Sequence, residues 1–405
     1  MKAKTILKIT AVVLVLIFVL VLLFLPASIF QEKARTHTPV AQADTPIPSA
    51  FTGDSSGLTK TEIVPTLETP LPKSKNIIWC VSFQMAWKAL EQEFTGGSVS
   101  LDGNPETATV LNNAEPVRSS ILPPAAYVAT GWNQNGIVNK IQNEMRQRFP
   151  DRQPPNFPGL TPDGFVAYSY LEASLIFPLP YNQNMQPFVF TDSTKIKTDV
   201  NSFGIPVEDD GTYFKLRSQP AVLFRSDVFE DDSQFTSDEF AIDLCSNSLP
   251  DEIVLARISP QPTLAAALTH VEKGIASWKI VLRSENASIA NGMQHIKPND
   301  VLLLPNFNWF ISHDFTDLEK RAVGNAKTSG QRLDLAEEDI SFRLDKTGAE
   351  LKAESKRYFT SVANKFVFDK PFLIYMKMRD AHMPYFVMWV DNAELMSLWQ
   401  QKPLR

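Results

Sequence analysis

Cysteine is nearly missing from this chain. Cys80 and Cys245 are the two present among 405 residues. They stand far apart, and neither belongs to a CxxC pair, so their spacing excludes a zinc-ligand set. Two readings of the pair stay open. In an oxidising compartment Cys80 and Cys245 are a possible disulfide; each also sits among apolar residues, as a buried thiol does. Histidine is equally sparse: His37, His270, His295, His313 and His382 show no HxxxH pairing and no metal spacing. A surplus of positive charge is missing too, since Lys plus Arg number 39 against 45 Asp plus Glu, for a net charge of −6. Nucleic-acid binders carry a basic stripe, and no Lys/Arg cluster interleaved with aromatics occurs. The acidic runs at 208–210 and 230–232 lack the alternating ligands and glycine of a calcium loop and read as solvated loops. P-loop and Rossmann fingerprints are absent. No metal and no cofactor are expected.

What is present begins with a membrane signal. Lys2, Lys4 and Lys8 precede an apolar run from Ile9 to Phe30 broken by Thr10, Pro26 and Ser28. About 20 apolar residues span a bilayer as a helix. The positive flank keeps the N-terminus cytoplasmic and exports the rest. Residues 1–30 are therefore expected to be a transmembrane signal anchor, with the main domain periplasmic or extracellular. Ala41-Gln-Ala43 has the small-residue pattern of a cleavage site, and cutting there gives a secreted protein. Residues 31–75, with Pro39, Pro46, Pro48, Pro65, Pro70, Pro72 and many Thr and Ser, read as a linker. Within it, Gly53-Asp-Ser-Ser-Gly57 matches Gly-x-Ser-x-Gly, but a hydrolase elbow needs a strand before it and a helix after it.

The folded domain is expected from Asn76 to about residue 395, with 396–405 as a tail. Val81, Met85, Trp87, Leu90 and Phe94 lie in a segment free of Gly and Pro that ends at Gly96, which predicts a buried helix. Residues 97–130 read as loops. Ile137, Ile141, Met145 and Phe149 make a helical stripe stopped by Pro150. Phe165–Phe177 is long, aromatic and apolar and suits a strand buried on both faces. Strands are expected at Ala221–Phe224, Phe240–Leu244, Ile253–Ile258 and Val301–Leu304, and short helices at Leu264–Val271 and Asp317–Val323. Strands and helices interleave without a βαβ period, which gives an α+β class.

Two C-terminal segments carry the most information. One is Ile340-Ser-Phe-Arg-Leu-Asp-Lys-Thr-Gly-Ala-Glu-Leu-Lys-Ala-Glu-Ser; the other opens Phe368-Asp-Lys-Pro-Phe and runs through two strands and a turn. Their order and wording resemble the C-terminal end of a serpin: a strand, a hinge, a reactive loop, then Phe-x-x-Asp-x-Pro-Phe and a closing hairpin. Asn76-Ile-Ile-Trp-Cys-Val-Ser, Phe165–Phe177, Asp238–Leu244, Val301-Leu-Leu-Leu-Pro-Asn-Phe and Asp317…Gly324 resemble further landmarks in the same order. The resemblance implies a large central β-sheet, smaller sheets, packed helices and an exposed C-terminal reactive loop. It implies a hinge at Lys346, Thr347, Gly348, Ala349, Glu350, Leu351, Lys352, Ala353, Glu354 and Ser355, and a scissile region at Phe359, Thr360, Ser361 and Val362. The chain departs from the family pattern in places. Cys80-Val81 stands for a Ser-Pro pair, Glu172 lies near the place of an asparagine, and the hinge is charged where small residues are usual.

The loop residues themselves support a strand. Ala349, Leu351, Ala353 and Ser355 alternate with Glu350, Lys352, Glu354 and Lys356, a period of two. A helix would set Glu350 against Glu354 and Lys352 against Lys356, like charges one turn apart. Arg357 limits insertion, because in that register it points inward, where an unpaired charge costs several kcal/mol. Two functions follow from the resemblance. One is a suicide-substrate inhibitor of a serine or cysteine peptidase, acting outside the cytoplasm. The other is a non-inhibitory serpin-fold protein that binds a protein ligand or serves a structural role. In neither is the chain an enzyme. Its expected partners are a peptidase or other protein and, through the N-terminal helix, a membrane, with no nucleic acid.

Overall fold

The computed structural model describes residues 48–115, 117, 121–206, 214–226, 238–247, 250–285, 294–328, 330–347 and 364–400. The expected anchor, the acidic runs at 208–210 and 230–232, His37, Gly348–Ser355 and Phe359–Val362 lie outside them. Strands are numbered along the chain. Gly164–Ser174 (β5) is the long strand expected from the aromatic run, and its first eight residues are buried. It lies inside a large mixed sheet of order β1 (Phe51–Asp54), β15 (Phe307–Asp314), β17 (Arg332–Leu344), β5, β4 (Ala126–Trp132), with β16 (Arg321–Ala322) paired to β17. The β15–β17 and β4–β5 joins are antiparallel; the β17–β5 join between them is parallel, as is the edge join β1–β15.

A second sheet has the order β13 (Gln294–His295), β10 (Ala221–Arg225), β11 (Phe240–Asp243), β12 (Asp251–Arg257), β19 (Phe372–Met378), β20 (Phe386–Val390), β3 (Asn76–Cys80), β2 (Thr61–Ile63). A third runs β18 (Lys365–Val367), β14 (Val301–Pro305), β9 (Ser202–Ile205), β6 (Asn182–Gln183). A hairpin of β7 (Phe188–Thr191) and β8 (Lys197–Val200) completes the strands.

Helices cover both faces of the large sheet. Helix α1 (Val81–Ala89) continues through a π turn, Leu90–Thr95, and stops at Gly96, whose φ of 72° suits glycine. Its buried side packs on β4 and β5, where Phe94 meets Phe165 edge-on at 5.2 Å. Helix α2 spans Glu106–Asn113, and α3 (Ile137–Arg148) places Ile137, Ile141 and Met145 on the opposite sheet face against Val166, Tyr168 and Tyr170. A short α4 (Phe214–Arg217) precedes α5 (Leu264–Glu285), where Gly274 lets the helix approach Phe224; a Cβ there would lie 3.0 Å from the ring. The main core fills the space between the large sheet and the second sheet, with Phe342 stacked on Phe386 at 4.9 Å.

Several expectations change. Residues 51–75 are not all linker: β1 adds an edge to the large sheet, β2 adds one to the second sheet, and Ile63 and Val64 are buried. Residues 97–130 hold α2 and β4 rather than loops alone. The Leu264–Val271 helix runs on to Glu285. Asp317–Val323 is no helix; Lys320 sits at φ 57° and Arg321–Ala322 pairs with β17. The start of the tail is packed, with Met396 buried and bridged to Phe307. No disulfide joins Cys80 and Cys245; both thiols are buried in separate parts of the second sheet's surroundings. Burial pushes the Cys80 thiol up, and the nearby Glu338 adds to it.

Candidate functional site

The loop implied by the sequence leaves the large sheet at the end of β17. There the side chain of Asp345 is buried and accepts from the Thr347 backbone N–H at 2.8 Å, from the Thr347 hydroxyl, and from Arg343 Nε at 2.6 Å. An aspartate bonded to the backbone two residues on makes a local turn. The next carbonyls are also held: Tyr181 N–H donates to Lys346 O at 3.0 Å and Phe177 N–H to Thr347 O at 3.2 Å. So Lys346 and Thr347, the first two expected hinge residues, are stitched to the segment that follows β5.

The chain returns at Asn364. Its backbone N–H and Nδ2 both donate to Asp300 Oδ1, at 2.9 and 2.7 Å, and Asp300 is buried. Arg225 Nη1 donates to Asn364 Oδ1 at 2.6 Å. β18 then pairs in parallel with β14 in the third sheet. The loop therefore starts on one sheet and ends on another. Phe368-Asp-Lys-Pro-Phe372 opens the closing hairpin by burying both phenylalanines, 5.1 Å apart, with Phe368 edge-on to Phe240 at 5.0 Å. That hairpin, β19–β20, occupies the middle of the second sheet.

Directly below the loop's departure point runs the parallel seam, from Arg332↔Gly164 to Arg343↔Ser174, with a bulge between Leu333 and Leu335. The expected strand began at Ile340; β17 begins at Arg332, and the difference is a run of acids, Glu337-Glu338-Asp339. All three are buried. Glu338 faces α1, accepting from Ser82 Oγ at 2.8 Å, from the Phe83 backbone N–H at 3.1 Å and from Ser169 Oγ at 3.3 Å across the seam. Burial raises its carboxyl to about 7, although these donors and the α1 N-terminus pull the other way. Asp339 faces the opposite side and accepts from Tyr168 OH at 2.8 Å, while its Oδ1 has no partner. Burial also raises Asp339 and Glu337, and Glu337 is pushed further by Asp339, Asp314 and Glu319. Glu172, near the family's asparagine position in the sequence, lies on this outer face beside Tyr170 OH at 3.4 Å; the strand residue that reaches Glu338 is Ser169.

The Gly-x-Ser-x-Gly match gains a strand in the structure. β1 precedes it, a 3-10 turn at Ser55–Gly57 follows, and Ser55 Oγ lies 2.7 Å from His313 Nδ1. The rest of a hydrolase site is missing among the described residues. No carboxylate hydrogen-bonds the ring, the Ser56 N–H is taken by Asp54 Oδ1 at 2.7 Å, and burial lowers His313 to about 4. The pair ties β1 to β15. His270 bonds Glu239 at 2.8 Å, His295 bonds the Pro220 carbonyl at 3.0 Å, and His382 is exposed in the hairpin turn. No group of three or more His, Cys, Asp or Glu side chains among the described residues is arranged to hold a metal. No helix among them is long and apolar enough to cross a membrane. A cavity of about 590 Å³ lies apart from the loop, with Leu67, Val110 and Met383 in its wall and Glu68, Glu106, Glu115 and Asp317 at its lining.

No family model and no curated protein matches this sequence. Among solved structures the chain is similar to native protease nexin-1 with heparin (TM-score 0.45, 11% identity) and to a tumour suppressing serpin (0.44, 11%), each alignment covering 78% of this chain and 92% of the other. It is also similar to Serpin48 from the insect Tenebrio molitor (TM-score 0.39, 13% identity), with the same coverage. The weight rests on the sheet order, the loop's two anchors and the buried Phe-Asp-Lys-Pro-Phe hairpin, and these give the chain a serpin-like α+β fold.

Proposed function

We propose that this protein is a suicide-substrate inhibitor of a serine or cysteine peptidase, presenting residues 348–363 as bait outside the cytoplasm. The observation that carries the reading is the parallel seam with the loop attached at its end. A chain that leaves β17 and turns back runs antiparallel to both β17 and β5. Its entry would replace one parallel join by two antiparallel ones, and antiparallel pairing is the stronger per residue. The alternation from Ala349 to Lys356 suits that strand. Ten newly paired residues at 0.5–1.5 kcal/mol each contribute about 5 to 15 kcal/mol. Against this stand the Arg357 charge, several kcal/mol if buried unpaired, and overpacking at Leu351 of about 1–3 kcal/mol. The chain is not an enzyme in this reading. Residues 1–30 would tether it, and cleavage near Ala41-Gln-Ala43 would release it.

A second reading, a non-inhibitory protein that binds a protein ligand or serves a structural role, draws support from Ser169–Glu338 and Tyr168–Asp339. Both bonds cross the seam and must break before a strand enters. Incubation with a panel of serine and cysteine peptidases, read on a denaturing gel, separates the two. A covalent complex is expected for an inhibitor; clean cleavage within 348–363 with no complex leaves the binding or structural role.

A further inference from the structure

The three acids of β17 occupy a place where charge is poorly tolerated, and no ion pair among the described residues reaches them. Glu338 bonds both to α1, through Ser82 and Phe83, and to β5, through Ser169. We propose that the β5–β17 seam is an acid-strengthened latch. Protons held by Glu338 on one face, and by Glu337 and Asp339 on the other, keep the large sheet closed, and their release as pH rises frees the two strands to part.

The surroundings set the direction. On the α1 face, Glu338 meets the Ser82 hydroxyl, the Phe83 N–H and Ser169, with the Cys80 thiol nearby and His313 opposite it in the β15 register. His313 is held neutral by burial through this pH range and Cys80 stays protonated, so neither supplies a compensating charge. On the outer face, Glu337 and Asp339 meet Ser312, Asp314 and Glu319 from β15 and the turn after it, and Tyr168 from β5; burial keeps that phenol protonated. The charges that act on them there are other carboxylates; Arg152, on the same face, is engaged with Ser341 and Phe310 two strand positions away. A carboxyl raised in the closed sheet binds a proton that it surrenders once solvated. Closure is therefore favoured below the ordinary carboxylate range and weakens as pH climbs through the raised values, from about 5 toward 8 for Glu338. This is opposite to a salt-bridged aspartate, whose contribution is lost in acid. The latch belongs to the sheet whether or not a peptidase is ever trapped.

Native-state hydrogen exchange of the full-length chain tests it, with rates corrected for intrinsic exchange. Between pH 5.5 and 8 the amides of β5 and β17 should open more readily by on the order of tenfold or more. Amides of β19 and β20 serve as the internal reference and should change far less. Glu338→Gln, a neutral isostere, should hold the seam at pH 8 more tightly than the parent does at that pH and reduce the pH response. Glu337→Gln, on the other face, should act in the same direction and stands in if the first variant does not fold. Seam protection that tracks the β19–β20 reference at both pH values overturns the proposal, as does a pH response left intact in either folded variant. If neither variant folds, the parent's own profile decides.

Discussion

The two large sheets of this molecule are built on opposite principles. Where β12, β19 and β20 meet, the buried residues run Ile253, Val254, Leu255, Ala256, then Phe372–Met376, then Phe386–Val390, and the acids of that sheet, Asp243 and Glu252, are paired with Arg379. Where β5 meets β17, aromatic and small residues face three buried acids. The first, the hairpin sheet, gains mainly from apolar side chains removed from water, and its buried Asp243 has a cation beside it. The second carries groups that cost free energy to bury and that a partner strand must keep satisfied. On the proposal above, the hairpin sheet is the permanent one and the sheet that carries β17 is the one that moves.

The sharpest test of that contrast is a cavity on the permanent side. Phe386→Ala removes the ring stacked on Phe342 and should destabilise the protein by about 3–5 kcal/mol, read as a fall in the urea midpoint. A loss under 1 kcal/mol would blur the distinction between the sheets. On the moving side, Arg357→Ala removes the charge that opposes full insertion. The melting temperature should rise further on loop cleavage than it does for the parent, by an amount reflecting up to several kcal/mol; equal rises would show that the loop does not enter the seam. Asp345→Ala frees the Thr347 backbone at the hinge and should cost about 1–2 kcal/mol while speeding limited proteolysis within 348–363.

The acid–base balance gives a milder effect with a fixed sign. Asp334 is drawn down mainly by Thr161 and Arg332, Asp54 by Ser56, and Glu239 by Ser259 and His270, each against a burial effect that pulls the other way. Their contributions are present above the ordinary carboxylate range and are lost as pH falls below it. The raised acids of β17 act in reverse and weaken the fold as pH climbs above the ordinary carboxylate range toward neutrality. The urea midpoint should therefore peak in mildly acidic buffer, near pH 5, and a peak at pH 8 or above would contradict the assignment. Smallest of all, Lys75→Ala removes the ion pair with Glu62 on an edge strand of the permanent sheet. Less than about 1 kcal/mol should be lost, in keeping with a sheet held by its apolar interior.

Much of this was legible before any coordinate. β5 announced itself as an unbroken aromatic run, and α1 and α3 through apolar residues at helical spacing. Lys346-Thr347 lie where β17 ends, and Phe368–Phe372 open the closing hairpin, four residues past the point at Asn364 where the described chain resumes. β1 and β2 were hidden because strands of four and three residues amid prolines have no period of their own; β15 and β3 supply their hydrogen bonds. Helix α2 buries only Ala108 and Leu111, too few for a stripe. Asp317–Val323 looked helical by composition, yet Arg321 and Ala322 had a better partner in β17.

Glu337-Glu338-Asp339 is the instructive case. Read along the chain it is a solvated charge run, and nothing local says otherwise. Apolar periodicity and turn chemistry are properties of neighbouring residues, so the sequence by itself determined the long elements, β5, α1 and α3 among them. Whether an acid is solvated or sealed depends on groups over a hundred residues away, here Ser82, Ser169 and Tyr168. Only the tertiary structure brought them together, because burial is decided by what packs above a strand and not by the strand itself.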